Sequence, residues 1–160
     1  MTLRPRNGVA ELSAIAQATP DLIATATLAI ETSGQGLIEF TREARRFVTD
    51  AGARDGTLQI FLQHTSASLT IQENADPAVQ KDLLTALDRF APADAGWVHD
   101  PEGPDDMPAH VKTMITGVSV HVPVVGGALA LGTWQGLYLV EHRVRPHRRE
   151  IVLQFIGTSR

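Results

Sequence analysis

The sequence predicts an α+β fold rich in β-structure, and three observations predict it. Apolar and polar residues alternate with a period of two along several separate stretches. Between these, other stretches repeat their apolar residues at helical spacing. The 160 residues suit one domain, whereas two would each be short of core.

The elements follow in order along the chain. Residues 1–20 are mixed and weakly patterned. Leu12 and Ile15 are expected to start a short helix that Pro20 ends, in a peripheral N-terminal arm ahead of a single domain over residues 21–160. From Asp21 to Thr32, Leu22, Ala24, Ala26, Leu28 and Ile30 share one phase, while Thr25, Thr27 and Glu31 share the other. That is a half-buried strand, broken by Gly34 and Gly36. Phe40, Ala44, Phe47 and Val48 then mark an amphipathic helix that ends near Gly52.

Thr57–His64 reads as a strand whose Leu58, Ile60, Leu62 and His64 point one way. Ser68–Asn74 reads as another, with Leu69, Ile71 and Glu73 in phase. Asp76 and Pro77 predict a helix start, Asp as N-cap and Pro at the first helical position. Val79, Leu83, Leu84, Leu87 and Phe90 supply its apolar stripe. Ala91–Pro104 is a loop that Trp97 pins to the body, and a short helix follows over Met107–Ile115. Pro108 is tolerated there because it falls in the first turn. After Gly117 the pattern is β to the end: Val118, Val120 and Val122 alternate with Ser119 and His121. Gly126 and Gly127 turn the chain, and Ala128–Leu131, Gly136–Arg143 and Glu150–Ile156 give the last strands.

Composition narrows the function classes. A formal net charge of −4 argues against a dedicated nucleic-acid binder, which needs a basic footprint. Without cysteine there is no disulfide, thiolate metal site or Cys nucleophile. No apolar run approaches the ~20 residues that span a bilayer. Arg4 and Arg6 are followed by no apolar segment of signal-peptide type. Neither a signal peptide nor a membrane partner is expected, and a cytoplasmic location is.

Several groups of residues can carry chemistry. His64 falls in phase with large aliphatics at a strand end, where an imidazole is costly unless bonded or ligating. Thr65 and Ser66 follow with hydroxyls able to bind phosphate; the plain alternative is a satisfied core histidine and a polar turn. Glu73 continues an apolar face beside Asn74, and either serves a metal or base role or marks where the strand meets water. A tight hairpin after His64 would carry Glu73 far from it, at ~3.3 Å per residue. Asp105, Asp106, His110 and Lys112 form a third group. Asp106 and His110 are an i, i+4 pair on one helical face, able to hold a divalent ion, although Asp106 also suits a simple N-cap. In the run Leu131–Gly136, glycines bracket Thr133, Trp134 and Gln135. Trp134 can cover an aromatic ring and Gln135 can read its edge, or the run is a β-bulge with a core Trp. The basic turn Arg143–Arg149, with Arg148, either binds phosphate or is a solvated hairpin. His121 reads as surface or interface, and His99 and His142 stay unassigned.

Three blocks of this sequence also resemble a known family. The run His64-Thr65-Ser66-Ala67-Ser68-Leu69-Thr70-Ile71-Gln72-Glu73-Asn74-Ala75-Asp76-Pro77 is similar to the signature of the YjbQ family, the secondary thiamine-phosphate synthases. Pro108-Ala109-His110-Val111-Lys112 agrees, as does Leu131-Gly132-Thr133-Trp134-Gln135-Gly136-Leu137-Tyr138-Leu139 with Glu141. Order and spacing match over about residues 20–158; the first 20 residues lie outside, and His99 falls in a variable loop.

The resemblance implies two packed, mostly antiparallel sheets (sandwich or jelly-roll-like) with two to three helices, assembled as a homotrimer. It implies one pocket near a subunit interface and, as a side activity, the joining of a hydroxymethylpyrimidine pyrophosphate to a thiazole phosphate with release of pyrophosphate. A divalent metal, zinc or magnesium, is implied as cofactor. On that reading His64, Glu73 and His110 are catalytic, with His64 and His110 the metal ligands. Trp134 and Gln135 hold the heterocycle, and Thr65, Ser66, Lys112 and Arg148 hold phosphate, with Asn74 and Thr133 completing the substrate site. The competing readings are a metal-dependent hydrolase of a phosphorylated small molecule and a non-catalytic ligand-binding trimer.

Overall fold

Alternating sequence becomes two sheets in the computed structural model, which describes Gly8 and residues 10–160. The larger sheet takes β1 (Leu22–Glu31), β3 (Ala53–Leu62), β5 (Ser119–Val125), β6 (Ala128–Leu129) and β8 (Arg148–Ser159), in the order β1-β8-β3-β5-β6. The smaller takes β2 (Gly36–Glu39), β4 (Ala67–Glu73) and β7 (Gln135–Glu141), in the order β2-β7-β4. Every pairing is antiparallel. Three helices complete the described residues: α1 (Thr41–Asp50), α2 (Pro77–Phe90) and α3 (Asp106–Thr116). The expected α+β architecture of two packed sheets with helices is therefore what the chain adopts. No helix among the described residues is long and apolar enough to cross a membrane.

The core is one contiguous cluster. Leu58, Ile60 and Leu62 of β3 and Ile151, Leu153 and Phe155 of β8 meet Leu69 of β4 and Leu137 and Leu139 of β7. Phe40, Ala44 and Val48 join them at α1. Each such Leu, Ile, Val or Phe side chain, fully buried, contributes roughly 1.5–3 kcal/mol. Where β3 crosses β8 the register shifts between Ala53 and Gly56. A Cβ on Gly56 would lie 2.3 Å from the Ile156 carbonyl oxygen, so only glycine lets the two backbones approach there.

The helices sit as their caps dictate. At α2 the Asp76 carboxylate accepts from the Ala78 N–H at 2.8 Å, with Pro77 opening the first turn. Its apolar stripe is only half-covered, however, and Phe90 is 74% exposed. At α3 the N-cap is Asp105, not Asp106, and the Asp105 side chain makes no cap bond because it is turned elsewhere. Thr113 anchors α3 to β4 by donating to the Ala67 carbonyl at 3.2 Å. Gly117 ends it at φ +96°, a conformation costly for any other residue.

Some expectations fail. Residues 11–20 form no helix, and Leu12 stands 84% exposed. A helix that short has no stability without a surface to pack on. β2 has only four residues, opens on Gly36 and lies just after Gly34, so nothing in its own pattern announces it; pairing with β7 creates it. β3 begins at Ala53 and ends at Leu62, which leaves His64 beyond the strand.

Candidate functional site

The site begins where β3 runs out. Leu62 still donates to the Val118 carbonyl at 2.8 Å, and Gln63 donates to the Glu150 carbonyl at 3.1 Å. The chain then turns away through His64 and Thr65 towards β4, opening a cleft against α3. The cleft measures about 610 Å³. Phe61, Leu62, Met114 and Val118 give it apolar walls, and His64, Thr65 and His110 give it a polar end. His110 and Met114 face it because residues four apart share one side of a helix. Asp106 belongs to the same row, one turn earlier.

His110 Nδ1 lies 2.8 Å from the Thr65 carbonyl oxygen. A carbonyl only accepts, so Nδ1 carries the proton, and the tautomer this selects leaves the Nε2 lone pair to ligate. That Nε2 is 3.5 Å from Asp106 Oδ2, and His99 Nε2 reaches the same oxygen at 3.0 Å. The donor atoms of His99, Asp106 and His110 all lie within 4.8 Å of one another. Two imidazoles and one carboxylate, with a histidine oriented by a backbone carbonyl, suit a zinc-like divalent ion. Magnesium prefers an all-oxygen set and fits them poorly.

Asp106 is buried, and Arg143 Nη1 donates to its Oδ1 at 2.6 Å. Arg143 also binds Asp105 Oδ2 at 2.9 Å through Nε, and the Glu102 carbonyl at 2.8 Å through Nη2. Burial opposes ionisation of Asp105, but bonds from the Val144 N–H and Arg143 outweigh it and hold this carboxyl below its usual range. Burial likewise works against the charge on Arg143, and its carboxylate partners Asp105 and Glu102 more than offset that, raising its pKa. A second buried pair lies alongside. Glu141 Oε1 accepts from Arg149 Nη2 at 2.6 Å, and Arg149 also donates to Ser66 Oγ at 3.1 Å.

The donor set differs from the sequence reading, which paired His64 with His110. His64 Nε2 accepts the Glu150 N–H at 2.9 Å, which puts the proton on Nδ1 and keeps Nε2 from a metal. Burial, then the charge of Arg149, lowers the His64 pKa. His64 and His110 still line one cleft. His99 went unassigned because its loop has no periodicity and only the fold brings it to Asp106. The basic turn is not wholly solvated, since Arg143 and Arg149 point inward to carboxylates while Arg148 stays exposed.

Other candidates lie elsewhere. Ser66 is buried with its hydroxyl engaged by Arg149. Lys112, also buried, pairs with Asp88 of α2 and faces a smaller cavity away from His110, as two residues' rotation along a helix requires. Arg148 is exposed and pairs with Glu31 at 2.8 Å. Glu73 pairs with Gln135 at the far end of β4, six residues from Ala67, which is roughly 20 Å along a strand. Asn74 donates its N–H to the Trp134 carbonyl there at 3.0 Å, and Trp134 is 63% exposed beside Thr133. Within one chain, therefore, Glu73, Asn74, Thr133, Trp134 and Gln135 do not line the histidine cleft. His142 is a buried ring bonded to Ser68 Oγ at 2.8 Å. Burial, then the charge of Lys112, pushes its pKa down to about 4.

Fold and site together define a small two-sheet α+β protein with a His/Asp/His donor cluster, one member of which, His110, lines a cleft. The family described as UPF0047 protein YjbQ-like matches residues 26–158. A relative, UPF0047 protein sll1880 of Synechocystis, is 46% identical over 131 residues, covering 81% of this chain and 89% of the relative. YugU of Bacillus subtilis is 39% identical over 134 residues, covering 82% and 98%. Among solved structures, a YjbQ/UPF0047 protein of Clostridium acetobutylicum superposes with a TM-score of 0.76 at 34% identity, covering 81% of this chain and 98% of that one. The chain belongs to the YjbQ-like UPF0047 family.

Proposed function

We propose that this chain is a metal-dependent enzyme acting on a small phosphorylated molecule in the cleft between the end of β3 and α3. One observation carries the reading: His99, Asp106 and His110 offer three convergent donor atoms, and the Thr65 carbonyl fixes the His110 tautomer that leaves Nε2 to ligate. A bound divalent ion, zinc by the chemistry of the set, would neutralise charge building on a phosphoryl or pyrophosphoryl oxygen.

The chain's own residues supply the rest. Phe61, Met114 and Val118 exclude water from one side of a substrate and suit a flat ring. His64, held neutral with its proton on Nδ1, and the Thr65 hydroxyl provide donors at the polar end. A ring at one end and phosphate at the other is the form of a hydroxymethylpyrimidine pyrophosphate. That favours thiamine-phosphate synthase-like transfer to a thiazole phosphate, the activity the family resemblance implies. Hydrolysis of a phosphorylated small molecule is the second reading, favoured by the 49% exposure of the His99 side chain, which lets water reach the donors.

The proposal extends to assembly and place. Trp134 and Gln135 could meet the cleft only from another copy, as a homotrimer would allow. A cysteine-free chain is at home in the cytoplasm. The test uses protein purified without chelator, analysed for metal and assayed with the pyrimidine and thiazole phosphates and with a phosphoester panel. One zinc per chain, lost in His110→Ala along with turnover, is the expected result. A metal-free protein inert on every substrate overturns the proposal.

A further inference from the structure

The structure assigns Arg143 a positioning role: its guanidinium locks the loop that carries His99 and the carboxylate of Asp106 into the arrangement that can receive a metal ion. This rests on the metal reading above and adds a residue outside the donor set.

The argument begins with how weakly the His99 loop is otherwise held. Residues 91–105 contain turns but no strand or helix. Trp97 ties the loop to itself, donating to the Pro92 carbonyl at 2.8 Å, and the Gly103 N–H returns to the Asp100 carbonyl at 3.0 Å. His99 meets the body through Asp106, the very carboxylate it would share with a metal. Beyond the Val144 N–H, which bonds Asp105 Oδ2 at 3.0 Å where the loop meets α3, Arg143 supplies the tether nearest His99 that is independent of the cluster. Its Nη2 donates to the Glu102 carbonyl at 2.8 Å and its Nη1 to Glu102 Oε2 at 3.2 Å, three residues beyond His99.

The same fork fixes Asp106. Nη1 takes Oδ1 at 2.6 Å, while Oδ2 is the oxygen near both histidines. One oxygen is thereby committed to the protein and one is aimed at the cluster. Nε meanwhile takes Asp105 Oδ2 at 2.9 Å, drawing the first turn of α3 towards the end of β7. A guanidinium presents five donors in a rigid plane, so one side chain can meet these three acidic residues at once; an ammonium cannot. Arg143 is itself buried, and it starts two residues after Glu141 of the sheet core, so the reference point is rigid.

Charge and position predict opposite outcomes. As a cation beside a cation site, Arg143 would weaken metal binding, and its removal would tighten it. As a positioning residue it strengthens binding, because partners of ligating groups commonly govern affinity by 10–100-fold.

The experiment titrates zinc into metal-stripped full-length protein by calorimetry, comparing wild type, Arg143→Gln, Arg143→Lys and His110→Ala. Thermal melts confirm folding, and the visible spectrum of the cobalt(II)-loaded protein reports ligand geometry. Arg143→Gln is expected to weaken zinc by about 10–100-fold and to change the cobalt spectrum. Arg143→Lys keeps the charge and covers the case in which the glutamine variant does not fold; a several-fold loss is expected. Wild-type or tighter affinity in either folded variant, with His110→Ala still abolishing binding, overturns the role of Arg143 and leaves the metal reading standing. If wild type itself takes up no zinc, the metal reading falls and this role falls with it.

Discussion

Removing the Glu141 carboxylate tests how the cleft is supported. Glu141 is completely buried, and four donors converge on it. Arg149 gives Nη2 to Oε1 at 2.6 Å and Nε to Oε2 at 2.7 Å. Thr32 adds its hydroxyl at 2.9 Å and the Arg143 backbone adds its N–H at 3.0 Å. Substituting alanine leaves a guanidinium uncompensated in the interior, a change that costs about 3–5 kcal/mol. For a chain of this length each kcal/mol moves the melting temperature by roughly 2–4 °C, so Glu141→Ala should melt about 6–20 °C lower. Arg149 also holds Ser66, the neighbour of the Thr65 carbonyl that orients His110, so zinc affinity should fall as well. The double variant Glu141→Leu with Arg149→Met, which removes both charges, should recover most of the lost stability. Differential scanning calorimetry reads all three proteins. A Glu141→Ala protein within about 1 kcal/mol of wild type would show that the pair carries no more than a surface bridge, and would refute the reasoning.

Stability should also depend on acid. The folded pKa of His142, about 4, lies below its unfolded value near 6.5, so the unfolded chain binds the extra proton. The stability from keeping this ring neutral is complete above pH ~6.5 and is lost as pH falls towards 4, by about 3 kcal/mol. Glu141 and Asp105, whose folded pKa values are lowered, add a loss that sets in as pH falls through the usual carboxylate range, where the unfolded chain takes up protons first. Urea midpoints between pH 8 and 4 should fall accordingly, and His142→Gln should flatten the part of the curve between pH 6.5 and 4. Gly56→Ala, which sets a Cβ 2.3 Å from the Ile156 carbonyl oxygen, should cost on the order of 3 kcal/mol in chemical unfolding. His64→Ala should leave the zinc stoichiometry unchanged, because Nε2 of this ring is taken by the Glu150 amide; loss of zinc in atomic absorption would contradict that assignment.

What the sequence discloses follows the range over which each interaction acts. The alternation in β1, β3 and β5 is visible because each strand carries its own burial pattern. The start of α2 is visible because Asp76 and Pro77 act within one turn. β2 is not, since its pairing partner lies about a hundred residues away at β7. At the site, the i, i+4 spacing of Asp106 and His110 points to a shared face, and the fold adds His99 from a loop with no period. Arg143 and Arg149 sit in a run of basic residues that reads as a phosphate-binding turn or a solvated hairpin. Their burial depends on Glu141, Asp105 and Asp106, which no local pattern connects to them. His64 is in phase with the core of β3, yet the strand ends at Leu62, and the ring turns to the Glu150 amide instead.

The most direct measurement is anomalous X-ray scattering at the zinc edge from crystals of protein purified without chelator. A single strong peak in contact with His99, Asp106 and His110 is the predicted result. Crystals soaked in equimolar zinc that show no peak there, or place it away from those three side chains, would contradict the account.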